Sequence, residues 1–256
     1  MPERRLLLLG GGHAHLSLLR RLQGEAPKGW QVTLVSPHPR PIYSGMLPGW
    51  LAGRYALEDC VIPLSRLCER AGIRFAQTTA TELDLVRNEV VSSDGERRRF
   101  DLLSIDTGPD PALADLPGAR EHALPVRPID GFVAGWPEVQ RRWNNQSGPF
   151  AVVVLGSGAA AVELAFAIRS RASRDGATGV QVGLVGRDDE PLATAARSVS
   201  RRVLRLLETR RIDWRGNRRA VEILPGCIRF EQGASLPFDA CVVATGAAAP
   251  GWPRAA

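Results

Sequence analysis

The chain has 256 residues, which is enough for one large domain or for two domains with hydrophobic cores of their own. Hydrophobic residues make up 44% and charged residues 23% of the sequence, as is ordinary for a soluble globular protein. The net charge of +6 comes from scattered arginines, and aromatic residues reach only 6%, so the sequence offers no stacking platform for single-stranded nucleic acid. We therefore predict no nucleic-acid partner.

Location and metal binding are also limited by the sequence. No apolar run reaches the roughly 18 residues that cross a bilayer, and the apolar segment 6–9 runs into glycines without a signal-peptide cleavage pattern. We therefore predict a cytoplasmic protein. A disulfide framework and a bound metal are disfavoured because neither CxxC spacing nor a metal-ligand pattern is present among the cysteines, which are Cys60, Cys68, Cys227 and Cys241.

The first half of the chain alternates apolar strands with helical stretches. In order, the periodicity predicts a strand over 5–9, a glycine turn, a helix over 14–23, a strand over 31–36, a proline-rich loop over 37–49, a helix over 63–70 and a strand over 73–77. Three short alternating segments and a closing strand follow, at 81–86, 89–92, 97–100 and 102–105. The turn Ser93-Asp94-Gly95 predicts a hairpin, so we expect a small antiparallel β-meander beside a parallel sheet.

The second half repeats this order after a Pro- and Gly-rich connection over 109–128. A helix follows that connection, and we interpret its Trp136 and Trp143 as core residues. Then come a strand, a glycine turn, a helix and two more strands, at 150–155, 156–158, 159–171, 180–185 and 240–243. A repeated strand, Gly-rich turn and helix predicts an α/β protein with two Rossmann-like dinucleotide-binding domains and parallel sheets.

The first glycine turn occupies residues 10–15. In the dinucleotide-binding pattern, the first glycine permits the tight turn and the second lets the backbone approach a pyrophosphate at the helix N-terminus. Gly10 and Gly12 meet these needs. The third position is usually Gly or Ala, but here it is His15, which is a departure from the pattern.

The second turn, residues 156–161, matches the pattern more fully, because Ala161 stands at the third position after a strand of the buried type. An Asp or Glu normally ends the next strand and binds the ribose hydroxyls. Gly186 stands there instead and Arg187 follows it, which favours a 2′-phosphate and therefore NADPH. NADH stays open, because the carboxylate of Asp188 could still reach a ribose.

Five motifs in order span nearly the whole chain: GGGHAH (10–15), YSGMLPG (43–49), DTG (106–108), GSGAAAVE (156–163) and ATGAAAP (244–250). Together they resemble the FAD-dependent pyridine nucleotide–disulfide oxidoreductase superfamily. Within it, the chain is similar to type II NADH dehydrogenase-like proteins, including those fused to selenide, water dikinase. The resemblance implies an FAD-binding domain over 1–120 and an NAD(P)H-binding domain over 121–256.

The resemblance also implies which residues bind each cofactor. For FAD they lie at the first glycine turn, at strand ends and in the loop after Tyr43, namely Gly10, Gly12, His13, Ala14, His15, Ser36, Pro37, Ser44, Gly45, Met46, Pro48, Ala80, Thr107 and Gly108. For NAD(P)H they are Gly156, Gly158, Ala159, Ala160, Gly186, Arg187 and Gly246. Glu163 would face the nicotinamide and is the candidate catalytic residue.

Two departures from the family limit what is carried over. Disulfide reductases have a redox-active cysteine pair beside the flavin, whereas Cys60 and Cys68 are spaced differently, so we interpret them as buried single thiols. Family members also continue past the second Ala-Thr-Gly motif to a Gly-Asp pair that holds the flavin ribitol. Only ten residues follow Gly246, so we expect the C-terminal part of the flavin domain to be missing.

The predicted activity passes a hydride from NAD(P)H to the flavin and electrons on to a quinone or another small acceptor. One alternative is a truncated, non-catalytic nucleotide-binding module that associates with selenium metabolism through selenide, water dikinase. Another is a sulfide:quinone-type oxidoreductase, for which Cys60 is the candidate reactive thiol. The arginine-rich stretch 197–211 is interpreted as a solvated helix face over a sheet, with docking on an anionic membrane surface as its alternative.

Overall fold

Apolar side chains on both faces make β1 (Arg4–Leu9) a central strand. Leu7 and Leu9 are buried on one face of this strand, and Leu8 is buried on the other. A strand that is covered on both sides belongs inside a parallel sheet. The pairing agrees with this, since β1 has a parallel neighbour on each side.

The computed structural model describes residues 3–22, 24, 27–111, 113, 115–248 and 251–252. Gln23, the predicted end of the first helix, and Ala249 and Pro250 of the last motif lie outside the described residues. The chain divides into two units. The first comprises Met1–Tyr43, Val61–Asp110 and Ala249–Ala256, and the second comprises Ser44–Cys60 and Pro111–Ala248.

The elements follow in chain order. Up to residue 111 they are β1, α1 (His13–Arg21), β2 (Trp30–Val35), a 3-10 helix (Ser44–Met46), α2 (Leu47–Leu51), a second 3-10 helix (Glu58–Cys60), α3 (Leu64–Arg70), β3 (Arg74–Ala76), β4 (Ala80–Asp84), β5 (Glu89–Ser92), β6 (Arg97–Arg99), β7 (Leu102–Ile105) and β8 (Asp110–Pro111). The remaining elements are α4 (Ala119–His122), β9 (Leu124–Pro125), α5 (Ile129–Asn145), β10 (Phe150–Leu155), α6 (Ala159–Arg174), β11 (Val180–Val185), α7 (Arg197–Thr209), β12 (Ile212–Arg215), β13 (Ala220–Leu224), β14 (Cys227–Phe230), β15 (Ser235–Pro237), β16 (Ala240–Val243) and β17 (Ala247–Ala248).

The first unit has three layers. Its central sheet is parallel with strand order β3-β2-β1-β7. Helices α1 and α3 cover one face, where Leu19 and Leu64 pack on Leu8. The antiparallel meander β4-β5-β6 covers the other face, where Leu83 and Val90 join the core. The predicted parallel sheet with its small meander is confirmed.

The second unit repeats this layering. Its parallel sheet has the order β12-β11-β10-β16-β9, and α6 packs against β10 and β11. A second antiparallel meander, β13-β14-β15, covers the other face, where Ile223, Ile228 and Phe230 pack with Val153 and Leu155. This second meander is absent from the sequence-based description, which placed a meander only in the first unit.

Two short helical segments change the prediction for residues 37–49, which the sequence indicated as a loop. A 3-10 turn over Ser44–Met46 leads directly into α2, and Pro48 lies in the first turn of that helix. Proline is well tolerated there because its missing N–H has no partner to lose. Leu47 and Leu51 are buried, and α2 packs against α6 within the second unit, so tertiary contacts stabilise a helix of only five residues.

The tryptophans of α5 lie in the core, as predicted. Trp136 and Trp143 are 1% and 4% exposed, and their rings meet edge to face with centroids 5.5 Å apart. Phe132 stacks on Trp136 from the other side at 6.0 Å. The arginine-rich stretch forms α7, which buries Val203 and Leu207 and contacts β12. Within the described ranges, no helix has both the length and the apolar composition needed to cross a bilayer.

A substitution in β1 tests how strongly the two-sided burial holds the first unit together. We expect Leu8→Ala to lower the free energy of unfolding by about 2–5 kcal/mol, because Leu8 is fully buried and its truncation leaves a cavity. The control is Leu102→Ala in the neighbouring strand, where the side chain is 52% exposed and the cost stays within about 0.5 kcal/mol. Urea denaturation followed by circular dichroism measures both, and equal losses would contradict the layered core.

Candidate functional site

The first glycine turn joins β1 to α1 at the carboxyl end of the first sheet. The Gly10 N–H donates to the Val35 carbonyl at 2.8 Å. Gly10 has φ +90°, and a Cβ there would lie 2.2 Å from the Asp106 carbonyl oxygen. Glycine is therefore required at this position, both for the backbone conformation and for the close approach of the chain that leaves β7.

His15 explains how this turn works without the usual small residue at the third position. Its ring is 2% exposed, and Nδ1 lies 2.7 Å from the Gly10 carbonyl oxygen. A carbonyl only accepts, so Nδ1 carries a proton and donates it to this bond. Nε2 is hydrogen-bonded to the Ser104 hydroxyl at 2.9 Å. The imidazole thus fixes the turn against β7, while its side chain lies in the protein interior.

Asp106 provides a contact that the sequence did not reveal. Its carboxylate oxygen Oδ2 accepts hydrogen bonds from the Ala14 N–H at 2.9 Å and from the His15 N–H at 3.2 Å. A Cβ on Gly12 would lie 2.1–2.4 Å from the same carboxylate group. A carboxylate therefore sits on the first turn of α1, where free N–H groups and the helix dipole favour an anion.

The second glycine turn joins β10 to α6 with an equivalent backbone hydrogen bond at its first glycine. The Gly156 N–H donates to the Val185 carbonyl at 2.7 Å. Gly156 has φ +146°, and a Cβ there would lie 2.6 Å from the Ala244 carbonyl oxygen and 3.0 Å from the Ala161 methyl. Ala161 is fully buried, so a small third residue lets the helix pack closely on its strand.

The helix start in this second turn is open. Gly158 precedes α6 and has nothing within 4 Å of the position that a Cβ would take. Gly158, Ala159 and Ala160 are exposed. Nearby, the Thr245 Oγ1 is buried and has no hydrogen-bond partner among the residues that the structure describes. Open N–H groups at a sixteen-residue helix fit the pyrophosphate of a dinucleotide.

The end of β11 provides the groups nearest to a ribose in this kind of site. A Cβ on Gly186 would lie 2.7 Å from the Ser157 Cβ and 2.9 Å from the Trp214 ring, so only glycine fits. The Ser157 hydroxyl donates to the Asp188 carboxylate. The Arg187 side chain is 79% exposed, and its Nε lies 3.7 Å from the Asp188 carboxylate. A carboxylate and a guanidinium therefore lie side by side after β11.

The other predicted FAD residues near strand ends are less open. Ser36 is 3% exposed, and its hydroxyl accepts the His38 N–H at 3.3 Å, while Pro37 is exposed. Ala80 begins β4, is 7% exposed and pairs with Ser92. Ser36 follows β2, so it lies at the same carboxyl edge of the sheet as the first glycine turn.

The remaining predicted FAD residues fall into two groups. His13, Ala14, Thr107 and Gly108 belong to the first unit and are exposed, and His13 meets the Tyr43 ring edge to face at 5.1 Å. The other four belong to the second unit, in the 3-10 turn and the start of α2: Ser44, Gly45, Met46 and Pro48.

The last two predicted residues of the second unit are both exposed. Gly246 lies after β16, and nothing is within 4 Å of the position that a Cβ would take there. Glu163 lies on α6 in the second turn after Gly158. Across the described ranges, no cluster of three or more His, Cys, Asp or Glu side chains is placed to hold a metal ion.

All four cysteines are free thiols. Cys60 and Cys68 are buried, as predicted, and burial raises the pKa of Cys68 to about 11. Burial, together with the negative charge of Asp59, also raises the pKa of the Cys60 thiol, and its Sγ–H donates to the Ala56 carbonyl at 3.5 Å. Thiols with raised pKa values are poor nucleophiles at neutral pH.

Comparison with known proteins identifies relatives of the chain. The NADH dehydrogenase-like protein YutJ of Bacillus subtilis is 28% identical over 173 residues, which cover 67% of this chain and 46% of YutJ. The demethylphylloquinone reductase NdbB of Synechocystis is 23% identical over 198 residues, which cover 74% of this chain and 48% of NdbB. The chain therefore spans about half the length of these curated relatives.

A solved structure shows the same fold. NDH2 from Plasmodium falciparum in complex with NADH superposes with a TM-score of 0.83 at 16% identity, covering 98% of this chain and 56% of that one.

The family described as pyridine nucleotide-disulphide oxidoreductase matches residues 4–251. This match confirms the predicted superfamily and oxidoreductase class, with FAD and NAD(P)H as the cofactors of the family. The chain belongs to the pyridine nucleotide-disulphide oxidoreductase family.

Proposed function

We propose that this chain binds FAD through residues 1–120 and NAD(P)H through residues 121–256, and passes a hydride from NAD(P)H to the flavin. The observation that carries the proposal is the repeated turn. In each unit, a glycine with positive φ at the end of a central strand lies against the backbone that leaves the neighbouring strand, and a helix starts three residues later. In the second unit that arrangement leaves the backbone N–H groups at the helix start open to a phosphate, and in the first unit the Asp106 carboxylate accepts the equivalent N–H groups of Ala14 and His15.

The proposed domains are residues 1–120 for FAD and residues 121–256 for NAD(P)H. The segment Ser44–Cys60 lies in the proposed FAD domain, whereas its contacts group it with the second unit. The proposed FAD residues of that segment lie on α2 and the 3-10 turn before it, and α2 packs on α6, the helix that starts at the second glycine turn.

In the second unit, Gly158, Ala159 and Ala160 would hold the NAD(P)H pyrophosphate on the open N-terminus of α6. Arg187 would meet a 2′-phosphate, whereas Asp188 would accept hydrogen bonds from the ribose hydroxyls of NADH. Because the Ser157 hydroxyl already orients the Asp188 carboxylate, both nucleotides have a partner here. Gly186 adds no side chain beside the Ser157 and Trp214 side chains.

In the first unit, Gly10 and Gly12 would admit the FAD pyrophosphate, and the carboxyl ends of β2 and β7 would flank it. When bound, the flavin accepts the hydride and later releases electrons. The side chains of this chain then bind and orient, and no acid or base is needed for the hydride step. Glu163 is exposed on α6 and would act by positioning the nicotinamide.

A quinone is the proposed electron acceptor. The support is that one relative, NdbB, is a demethylphylloquinone reductase. The motif resemblance makes selenide, water dikinase a second candidate partner. A cytoplasmic location stays a prediction.

Anaerobic titration tests the proposed function. The purified protein is expected to be yellow or to become yellow with FAD, and stoichiometric NADH or NADPH should bleach the visible absorbance of the oxidised flavin. The nucleotide that bleaches faster identifies the preferred one. A folded, colourless protein that binds NAD(P)H and ignores FAD would overturn the proposal and support the non-catalytic module instead.

Gly158→Val tests the second glycine turn. We expect this variant to weaken NAD(P)H binding by about tenfold or more, because a branched side chain would fill the space that the pyrophosphate needs. The control is Gly148→Val, at a glycine of the same unit that also has nothing within 4 Å of its Cβ position. Quenching of NAD(P)H fluorescence or calorimetry measures the dissociation constants. Equal affinities in the two variants would place the nucleotide elsewhere.

Cys60→Ser tests the sulfide:quinone alternative. We expect any sulfide-dependent quinone reduction to be unchanged, because the Cys60 thiol is buried, hydrogen-bonded to a carbonyl and raised in pKa. The assay follows quinone absorbance with sulfide as the electron donor. Loss of the activity in this variant alone, with the fold intact by circular dichroism, would restore the alternative.

A further inference from the structure

Asp106 and Ala244 occupy equivalent positions in the two units. Asp106 is the first residue after β7, which lies beside β1 in the first sheet. Ala244 is the first residue after β16, which lies beside β10 in the second sheet. The Asp106 N–H donates to the Leu9 carbonyl at 2.7 Å, and the Ala244 N–H donates to the Leu155 carbonyl at 2.8 Å. Each carbonyl oxygen lies against the first glycine of its turn. Both residues therefore make the same backbone hydrogen bond to the strand before the glycine turn, and their side chains differ.

This difference decides what occupies each helix N-terminus. The Asp106 carboxylate accepts the N–H groups of Ala14 and His15 and lies where a Gly12 Cβ would be. In the second unit the Ala244 methyl makes no such bond, and the Gly158 Cβ position has nothing within 4 Å. The N-terminus of α1 therefore binds the Asp106 carboxylate of the same chain, whereas the N-terminus of α6 is open.

A carboxylate and a pyrophosphate cannot both use these N–H groups without cost. Two anions in contact repel each other, and the repulsion is strong where the surroundings are partly buried, as they are at Asp106. Each backbone N–H is a single donor, so an N–H that is shared between two acceptors bonds neither of them fully. A cofactor phosphate that approaches the first turn must therefore displace the carboxylate or accept its repulsion.

We propose that the Asp106 carboxylate is a built-in competitor for the pyrophosphate site of the first unit, so that it caps α1 in the cofactor-free chain and weakens FAD binding. This inference rests on the proposed function, because FAD is the ligand at that turn. It predicts opposite effects of one side chain: Asp106 stabilises the empty unit and lowers its affinity for the cofactor.

The test compares FAD affinity in three variants of the full chain, measured by quenching of flavin fluorescence. Asp106→Ala should lower the dissociation constant for FAD by about tenfold or more, since it removes both the charge and the competing acceptor. Asp106→Asn keeps a hydrogen-bond acceptor but removes the charge, so its dissociation constant for FAD should lie between those of the parent chain and Asp106→Ala. The control is Asp101→Asn, because Asp101 also accepts a backbone N–H, that of Arg5, at 2.6 Å in the same unit.

Melting temperatures of the cofactor-free proteins provide the second readout. Asp106→Ala should melt below the parent chain because α1 loses its cap, although its FAD affinity rises. A side chain that only supports the fold would lower both. Suppose that the parent chain binds FAD and that Asp106→Ala and Asp106→Asn bind it equally well or more weakly. That result would overturn the competition and leave the proposed function intact.

The converse variant is Ala244→Asp in the second unit. It should raise the dissociation constant for NAD(P)H by about tenfold, because it places a carboxylate at the α6 N-terminus. If Ala244→Asp binds NAD(P)H as tightly as the parent chain does, this result in the second unit contradicts the proposal. If the parent chain and every folded variant fail to bind FAD, both the competition and the proposed function are wrong.

Discussion

The structure depends on a close approach of backbone to backbone at two glycines. At Gly10 and at Gly156, a Cβ would fall within 2.6 Å of a carbonyl oxygen at the end of the neighbouring strand. This approach brings the start of a helix next to two parallel strand ends, which is where open α/β sheets bind their ligands. Any other residue would separate the helix from the strand end and remove the anion site, so this constraint comes before every functional proposal.

Much of the architecture could be predicted because it is encoded locally. The strands at 150–155 and 240–243 are continuous apolar runs, the strand at 180–185 alternates apolar residues with Gln181 and Gly183, and the structure reproduces the bounds of all three. The glycine spacing located both turns. The β13–β15 meander could not be predicted in the same way, because its strands are short and alternate weakly. They are held by packing of residues such as Ile223 and Ile228 on the sheet, which is a tertiary effect.

The site residues also divide into those whose role is local in sequence and those that act through tertiary contacts. Gly10 and Gly158 were identified from spacing, because their role is local. Asp106 was visible only as part of a motif, since its bond to Ala14 joins residues 92 positions apart. His15 departs from the Gly or Ala that is usual at the third position of the pattern. Its two hydrogen bonds to Gly10 and Ser104 show that a larger side chain can replace the close packing of Gly or Ala when both ring nitrogens find partners.

The same imidazole affects how quickly the first turn can change. Since His15 ties Gly10 to β7, and Asp106 donates its own N–H to Leu9, the peptide chain at this corner is held from both sides. The carboxylate can leave the helix by rotation about its own side-chain bonds, with the main chain fixed. Side-chain rotation is among the faster internal motions of proteins, whereas main-chain rearrangement of a loop is slower. Entry of a phosphate would then be limited by its arrival and not by remodelling of the corner.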